Sequence, residues 1–258
     1  MRTRLGGIDQ YLGVVAVLAE KDFKIRYRNS VLGFLWSLLN PFATMVILTL
    51  VFSYLLRTGV PNFPAWLLVG LLVWRFFQIG TAQGLTSILA NAPLVSNVYM
   101  PRYLIVLSNN LANLLGASLE FLAVLPLLLV LGVNVTAYVI LLPAILIAEF
   151  SLIFALSLSL SSLNLKYRDL DQIWGLVLQL GFFLSPIFYN ASLIPQRFQF
   201  VYSLNPVTAL IQSTRSIFLD HHLPSLFDGA VILGSIAILF LIGFAIFRHL
   251  EPRFAEEL

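Results

Sequence analysis

Long stretches without a charged side chain constrain the fold of this chain more than any other feature. Positions 31–56 contain no Asp, Glu, Lys or Arg, and several later stretches are almost as free of charge. A helix that crosses a bilayer needs roughly 20 mainly apolar residues. Of the 258 residues in the chain, 59% are hydrophobic and 10% are charged. This composition excludes a water-soluble domain and predicts several membrane crossings.

The spacing of the apolar stretches predicts an all-α membrane protein with six transmembrane helices, in a single domain over 1–258. The predicted spans cover 31–56, 65–90, 104–131, 138–163, 173–189 and 227–247. Pro41 predicts a kink in the first span, because proline lacks a backbone donor. The segment 190–226 is too long for a turn and too apolar for a solvated loop. It predicts short re-entrant helices or, alternatively, surface helices.

An N-terminal amphipathic interface helix is predicted over 8–28, because apolar side chains recur there at helical spacing. These side chains are Ile8, Tyr11, Leu12, Val15, Leu18, Ala19 and Phe23. The basic residues at 24–28 favour an anionic cytoplasmic membrane surface. All but four of the 15 Lys and Arg fall in segments assigned to the cytoplasm, the exceptions being Arg57, Arg197, Arg215 and Arg75. This asymmetry predicts that both termini are cytoplasmic, with membrane lipids and no nucleic acid as partners.

Three charged side chains lie well inside the predicted spans, away from their ends, namely Arg75, Glu120 and Glu149. An unpaired charge at a helix centre costs roughly 2.5–3.5 kcal/mol on insertion scales, so each should face protein or water. They predict either a polar lining or gate of a transport path, or a structural role. The structural role is a salt bridge between Arg75 and one glutamate, or an interfacial position that a long side chain reaches by snorkelling. A proton relay between the glutamates would instead indicate a secondary transporter, but the two halves of the sequence show no inverted repeat.

Aromatic residues make up 13% of the chain and could stack on sugar rings inside a channel. Trp36, Phe42 and Phe182 are candidates for the transport path, and Trp36 is the strongest of them. Aromatic side chains also collect at both membrane interfaces as anchors. The sequence leaves both interpretations open for each residue.

A membrane enzyme acting on lipid-linked glycans would need titratable groups that converge at one membrane face. Asp169 and Asp171 form such a pair, but their basic neighbours favour a solvated, charge-balanced turn. His221 and His222 are adjacent and lack a third ligand at suitable spacing, so no metal site is predicted. The chain also lacks the G-x-x-x-x-G-K-[ST] phosphate loop, so energy from ATP would have to come from another chain.

Several short motifs surround the predicted spans. They occupy 27–36, 40–41, 167–170, 185–189, 205–206 and 251–258, with Tyr-Arg-Asn-Ser-Val-Leu-Gly-Phe-Leu-Trp as the first and Ser-Pro-Ile-Phe-Tyr as the fourth. In order and spacing these motifs resemble the membrane subunits of ABC-2-type exporters. The resemblance is specifically to permeases for lipid-linked polysaccharides such as O antigen, capsule or teichoic acid, and it covers nearly the whole chain.

The resemblance implies a transport subunit of the bacterial inner membrane that does no catalysis. Its implied partners are a second copy of the chain, two copies of a cytoplasmic ABC ATPase and a lipid-linked polysaccharide; ATP and Mg would bind the ATPase, with no cofactor on this chain. Contacts with the ATPase are implied for Tyr27, Arg28, Pro93, Asn97, Tyr99 and Arg102. The residues at 91–102 alone favour a loop, whereas the resemblance implies a small helix. A related ABC-2 exporter of drugs or other lipids is the alternative.

Overall fold

The computed structural model describes residues 8–27, 33–55, 60–98 and 100–257, and these residues form helices and no strand. The α-helices are α1 (Ile8–Tyr27), α2 (Leu35–Thr49), α3 (Phe63–Ala90), α4 (Ala92–Asn97), α5 (Tyr103–Val130), α6 (Leu142–Lys166), α7 (Leu170–Leu184), α8 (Gln196–Ser203), α9 (Pro206–Arg215), α10 (Leu226–Leu250) and α11 (Phe254–Glu257). Short π-helical turns continue α2 over Leu50–Leu55 and α9 over Ser216–Asp220.

Five described helical segments are long and apolar enough to cross a membrane. They are Leu35–Ser53, Phe63–Ala90, Tyr103–Val130, Ala137–Lys166 and Leu226–Arg253. The helix α7 is also apolar, but its 15 residues reach only about 22 Å. The hydrocarbon core of a bilayer is about 30 Å thick. The predicted all-α membrane architecture is therefore confirmed, with five long apolar helices and one shorter helix.

The central helix of the bundle is α3. In its most apolar stretch 72% of the residues are buried, against 17% in the corresponding stretches of α2 and α10. Helices α5, α6 and α9 pack around it, and the main hydrophobic core lies between them. Helices α2, α7 and α10 expose large apolar side chains at the periphery. Such surfaces are expected on helices that contact lipid or another membrane subunit.

The helices α6 and α10 approach each other at Gly243. A Cβ atom at this position would lie 2.3 Å from the carbonyl oxygen of Ala155. Helices in lipid gain little from burying apolar surface against each other, so close backbone contact between small residues is a common way to hold them together. This contact fixes α10 to the bundle although most of its surface is exposed.

Helix ends follow recognisable local signals. Gly132 has a φ of +82°, and the amides of Gly132 and Val133 donate to the carbonyls of Leu129 and Leu128 at 3.0 and 2.9 Å. These paired hydrogen bonds end α5 with a left-handed glycine. At the start of α9, the side chain of Asn205 accepts a hydrogen bond from the Val207 amide at 3.0 Å, and Pro206 takes the first helical position. Both ends therefore follow from the sequence.

We call the end of the bundle that carries α4 the α4 end, and the opposite end the α9 end. At the α4 end, α1 packs along α5 and buries Val15 and Ala19, whereas Leu12 of the predicted apolar face is 63% exposed. The residues at 91–102 alone favoured a loop. This prediction is wrong over Ala92–Asn97, which form a helix with Pro93 in its first turn. Proline is accepted there because a first-turn amide has no helical partner.

At the α9 end, the segment between α7 and α10 is folded. Helix α9 is almost entirely buried against α3 and α10, whereas α8 has no buried residue. One helix of this segment is thus part of the core and the other lies on the surface. The sequence indicated packed structure here but did not distinguish the two helices.

Candidate transport and coupling sites

A polar cavity of about 320 Å³ lies between the end of α1 and helices α2, α3 and α5. Its lining is Arg26, Gly33, Trp36, Ser37, Asn40, Arg75, Ile79 and Glu120. We call it the arginine cavity. It contains two guanidinium groups and one carboxylate, and therefore carries an excess of positive charge. Positive charge at this depth in an apolar bundle is unusual, since intramembrane ionisable residues are rare and tend to serve a function.

Arg26 reaches the cavity from the last turn of α1. Its Nη2 donates to Gln83 Oε1 at 2.6 Å and to Asn113 Oδ1 at 2.5 Å. These partners belong to α3 and α5, so one side chain joins three helices. Nearer the α4 end, Lys21 Nζ donates to Asn91 Oδ1 at 2.8 Å. The basic face of α1 is thus bound to the bundle by polar side chains as well as by apolar contact.

Arg75 and Glu120 form an ion pair inside the cavity. The Arg75 Nε lies 3.3 Å from Glu120 Oε2, and the two side chains are 22% and 9% exposed. Glu120 also lies within electrostatic reach of Arg26 and beside Ser37. The salt bridge expected between Arg75 and one glutamate is present, and it lines a cavity at the same time. The two alternatives drawn from the sequence are therefore compatible.

A buried arginine, Arg215, lies at the α9 end. Its Nε donates to the Trp66 carbonyl at 3.2 Å, its Nη1 to the Pro186 carbonyl at 2.7 Å and its Nη2 to the Ile187 carbonyl at 3.1 Å. The guanidinium carbon lies 3.3 Å from the centre of the Trp66 ring. Gly70 makes room for it, since a Cβ there would lie 2.6 Å from Nη2. Burial lowers the pKa of Arg215 to about 9, so the group stays charged at neutral pH.

The C-terminal segment folds back onto the start of α5. The guanidinium of Arg102 donates to the main-chain carbonyl of Glu251, and the Arg102 amide lies 3.4 Å from Glu251 Oε1. Arg248 pairs with the same carboxylate at 3.6 Å. The Arg102 guanidinium also lies 5.6 Å from the centre of the Phe254 ring. Arg102 therefore holds the end of the chain beside α4.

A separate hydrophobic cluster forms the α4 end. It contains Ile88, Val95, Met100, Ile105, Val106, Leu158, Leu165, Phe247 and Phe254. Val95 is the buried residue of α4, while Pro93 and Asn97 on the same short helix are not buried. Helix α4 is therefore anchored in the cluster on one side and open on the other.

Comparison with known proteins decides what kind of membrane bundle this is. The family described as ABC-2 type transporter matches residues 14–219. The chain belongs to the ABC-2 type transporter family. The match begins inside α1 and ends beyond α9, so the ABC-2 region includes the arginine cavity, α4 and the Arg215 contacts.

Three relatives illustrate where this ABC-2 chain falls. It is 33% identical over 250 residues to the O-antigen export system permease protein RfbA of Klebsiella pneumoniae, covering 95% of each chain. It is 33% identical over 256 residues to a Myxococcus xanthus protein of the same name, covering 96% of each. It is 24% identical over 248 residues to the polysialic acid transport protein KpsM of Escherichia coli, covering 92% of this chain and 93% of that one.

The transport-path residues predicted for this ABC-2 chain do not all meet. Trp36, Arg75 and Glu120 line one cavity. Phe42 lies in a neighbouring apolar groove, and Phe182 packs edge-on against Trp74, with ring centres 6.1 Å apart. Glu149 is fully buried in α6, and neither of its carboxylate oxygens has a hydrogen-bond partner among the described residues. The structure thus brings three of the six predicted transport-path residues together in one cavity and places the other three elsewhere.

The coupling residues are also distributed unevenly. Pro93 and Asn97 lie on the open side of α4, and Arg102 is bound to the C-terminal segment. Tyr27 is the last residue of α1, while Arg28 and Tyr99 lie outside the described residues. The carboxylates of the enzyme alternative, Asp169 and Asp171, are exposed at the start of α7, as expected for a solvated turn.

Sequence reasoning missed two arginines that the structure makes central. In the sequence, Arg26 is one of several basic residues near the membrane surface, and Arg215 is one of four basic residues outside the segments assigned to the cytoplasm. A signal for Arg215 existed in its position near the end of an apolar stretch, because a charge among apolar residues needs partners. No local signal identifies its partners, which come from α3 and from the turn after α7.

Proposed function

We propose that this chain is the membrane subunit of an ATP-driven exporter that moves a polysaccharide out of a bacterial cell, with O antigen as the first candidate. The observation that carries this proposal is the similarity over almost the full length to O-antigen export permeases. Relatives named for polysialic acid and capsule polysaccharide support the same class of cargo. The chain itself is a transport subunit and not an enzyme.

The finer features of the proposal concern topology and assembly. We infer six crossings of the inner membrane, with α7 as a short fifth span, and cytoplasmic termini at the α4 end. A second copy completes the channel, and each copy binds an ABC ATPase that holds ATP and Mg. The cargo is a lipid-linked polysaccharide, which includes capsule or teichoic acid as well as O antigen. The exposed apolar faces of α2 and α7 support contact with lipid and with a second membrane subunit.

The ATPase contact is proposed at α4, with Tyr27, Arg28, Pro93, Asn97, Tyr99 and Arg102 as contributing residues. Its support is the geometry of α4, which leaves Pro93 and Asn97 accessible while Val95 is buried in the cluster at the α4 end. Movement of α4 would therefore press on α6 and α10 through that cluster. Trp36, Phe42, Arg75, Glu120, Glu149 and Phe182 remain the proposed transport-path residues.

The proposal is tested by purification and by phenotype together. The tagged chain is co-expressed with the ATPase encoded beside its gene, and cells lacking the chain are assayed for surface polysaccharide. We expect the ATPase to co-purify and lipid-linked glycan to accumulate inside the deleted cells. A chain that purifies alone, with surface polysaccharide unchanged in the deleted cells, would contradict the proposal.

The coupling surface is tested by placing a bulky charge on each end of the bundle. We expect Asn97→Lys on α4 to reduce recovery of the ATPase. The matched control Asn134→Lys, at an exposed position of the α9 end, should leave recovery unchanged. Equal recovery in both variants would place the ATPase contact elsewhere.

A further inference from the structure

The arginine cavity contains more cationic donors than its protein partners use. Arg26 uses only Nη2 for its bonds to Gln83 and Asn113, and Arg75 faces Glu120 through Nε. The remaining guanidinium nitrogens have no hydrogen-bond partner among the described residues, and both side chains line the cavity. Two guanidinium groups around one carboxylate leave an excess of positive charge. Such a site is suited to an anion with several acceptor oxygens.

An apolar groove of about 240 Å³ lies beside this cavity. Both are formed by the same three helices. On α2 the cavity and groove residues alternate along the helix, so the two sites lie side by side there: Trp36, Ser37 and Asn40 line the cavity, and Leu35, Leu38, Leu39 and Phe42 line the groove. On α5, Glu120 lines the cavity and Val124, one turn nearer the α9 end, lines the groove. On α3 the cavity residue is Arg75, and a residue nearer the α9 end, Leu68, lines the groove. On α3 and α5 the groove therefore lies nearer the α9 end than the cavity, and on α2 the two are adjacent.

A charged cavity beside an apolar groove fits an amphiphile better than a free ion. A small inorganic anion would need the charged cavity alone, and an apolar chain would need the groove alone. Together they offer a place for a charged head and for the first part of a hydrocarbon chain. The cavity lies nearer the α4 end than the groove, so the chain of a bound lipid would point toward the middle of the bundle.

A phosphoryl head fits the charged part better than a carboxylate. Bidentate contacts between arginine and phosphate are strong and directional, and two arginines can share three or four phosphoryl oxygens. A carboxylate could pair fully with one guanidinium and leave the second without a partner. Trp36 and Asn40 add an aromatic surface and an amide at the same cavity.

We propose that the arginine cavity binds the phosphoryl head of a lipid through Arg26 and Arg75, with the start of the lipid chain in the apolar groove of α2, α3 and α5. Two sources share this chemistry: the lipid carrier of the exported glycan, and a membrane phospholipid. The first source rests on the proposed export function, whereas the binding site itself does not.

Binding is measured on the detergent-purified full chain with tritiated farnesyl diphosphate as the probe. Unlabelled farnesol, inorganic diphosphate and dioctanoyl phosphatidylglycerol serve as competitors. We expect saturable binding that farnesol, which lacks a phosphoryl group, does not displace. Arg26→Gln should weaken the binding by at least about tenfold, which is about 1.4 kcal/mol, because a hydrogen bond between charged groups is lost. Arg197→Gln, at an exposed position of the α9 end, is the matched control and should bind normally.

A second variant tests the groove without removing any polar bond. Ala123 lines the groove and is exposed, so Ala123→Trp should fill the groove while the protein still folds. We expect it to weaken binding of farnesyl diphosphate and to leave any weak binding of inorganic diphosphate unchanged. This variant keeps the test valid if Arg26→Gln fails to fold.

The outcomes distinguish a failure of the proposed binding site from a failure of the export proposal. Stronger competition by unlabelled farnesyl diphosphate than by dioctanoyl phosphatidylglycerol assigns the site to the carrier of the cargo, and the reverse order assigns it to a structural phospholipid. Displacement by farnesol, absence of saturable binding, or binding that is unchanged in both Arg26→Gln and Ala123→Trp would overturn the phosphoryl site. None of these measurements depends on the ATPase or on polysaccharide export.

Discussion

Arg75 and Arg215 are both charged groups in an apolar helical bundle, but their surroundings differ. Arg215 is 5% exposed, and three of its nitrogens bind main-chain carbonyls while its face covers Trp66. Arg75 is 22% exposed, has one carboxylate partner at 3.3 Å and lines a cavity. A buried charge with a protein partner at every nitrogen holds structure together, whereas a charge with unpartnered nitrogens beside open space can bind a ligand.

The comparison also shows how each group offsets the loss of water. Arg215 has no ion pair among the described residues, and carbonyl dipoles from α3 and from the turn after α7 take the place of water. Arg75 has a counter-ion but keeps part of its surface exposed. The contacts of Arg215 at the α9 end are therefore supplied by the protein itself. The arginine cavity instead resembles a binding site whose remaining contacts come from a ligand.

The largest effect is expected from Arg215→Gln. This change removes a cation that binds three carbonyls, two of which lie in the turn after α7. We expect a loss of about 3–5 kcal/mol in unfolding free energy, because three hydrogen bonds from a charged donor are lost at about 1.5–3 kcal/mol each and removal of the buried charge offsets part of this. Thermal unfolding and size-exclusion profiles of the purified chain measure it, with Arg197→Gln as the control. A variant that unfolds at the wild-type temperature would show that Arg215 is not a structural clamp.

A smaller but still clear effect is expected from Glu120→Leu, because Arg75 then loses its counter-ion. We expect a cost of about 1–3 kcal/mol, the penalty of leaving a partly buried charged donor without its partner. Glu149→Leu is the matched comparison, since Glu149 has no hydrogen-bond partner among the described residues and its removal should be neutral or stabilising. Thermal unfolding of the two variants checks this order. If Glu149→Leu lowered the unfolding temperature more than Glu120→Leu, the stabilising contact would belong to Glu149 and not to Glu120.

The space around Arg215 is tested by Gly70→Ala. The added methyl group would lie 2.6 Å from Arg215 Nη2 and should cost about 1–2 kcal/mol through overpacking. Gly175→Ala in α7 is the control, because no neighbouring atom lies within 4 Å of the position that its methyl group would take. Alanine is the better helix former, so the control should be neutral or slightly stabilising. Equal unfolding temperatures for both variants would mean that the Arg215 contacts tolerate displacement.

The smallest effect is expected from Arg75→Lys, which keeps the charge and a bond to Glu120. We expect a change below about 1 kcal/mol, in the range of ordinary partly exposed pairs. The same substitution at Arg215 should cost clearly more, because a lysine ammonium cannot reproduce the planar fork that binds carbonyls on two elements. Unfolding temperatures of the two lysine variants give the difference directly. Similar values would remove the distinction between the two arginines.

Much of the architecture could be predicted because it depends on local composition. The apolar stretch of α3 starts at Phe63 and ends at Ala90, within two residues of the predicted span. Glycine and proline marked several ends, among them Gly132 and Pro206. The pairing of Arg75 with a glutamate followed from the cost of an isolated charge in lipid. The partner could not be chosen, because Glu120 and Glu149 have the same chemistry and differ only in which face of their helix meets α3.

The sequence by itself therefore determined that this protein is a helical membrane bundle of the ABC-2 type, since hydrophobic length and motif order are properties of the chain. Only the tertiary structure decided which charges are satisfied and which remain open. Arg26, Gln83 and Asn113 are far apart along the chain and meet because α1 packs beside α3 and α5. Such contacts depend on the relative rotation of packed helices, which the periodicity of a single helix does not specify.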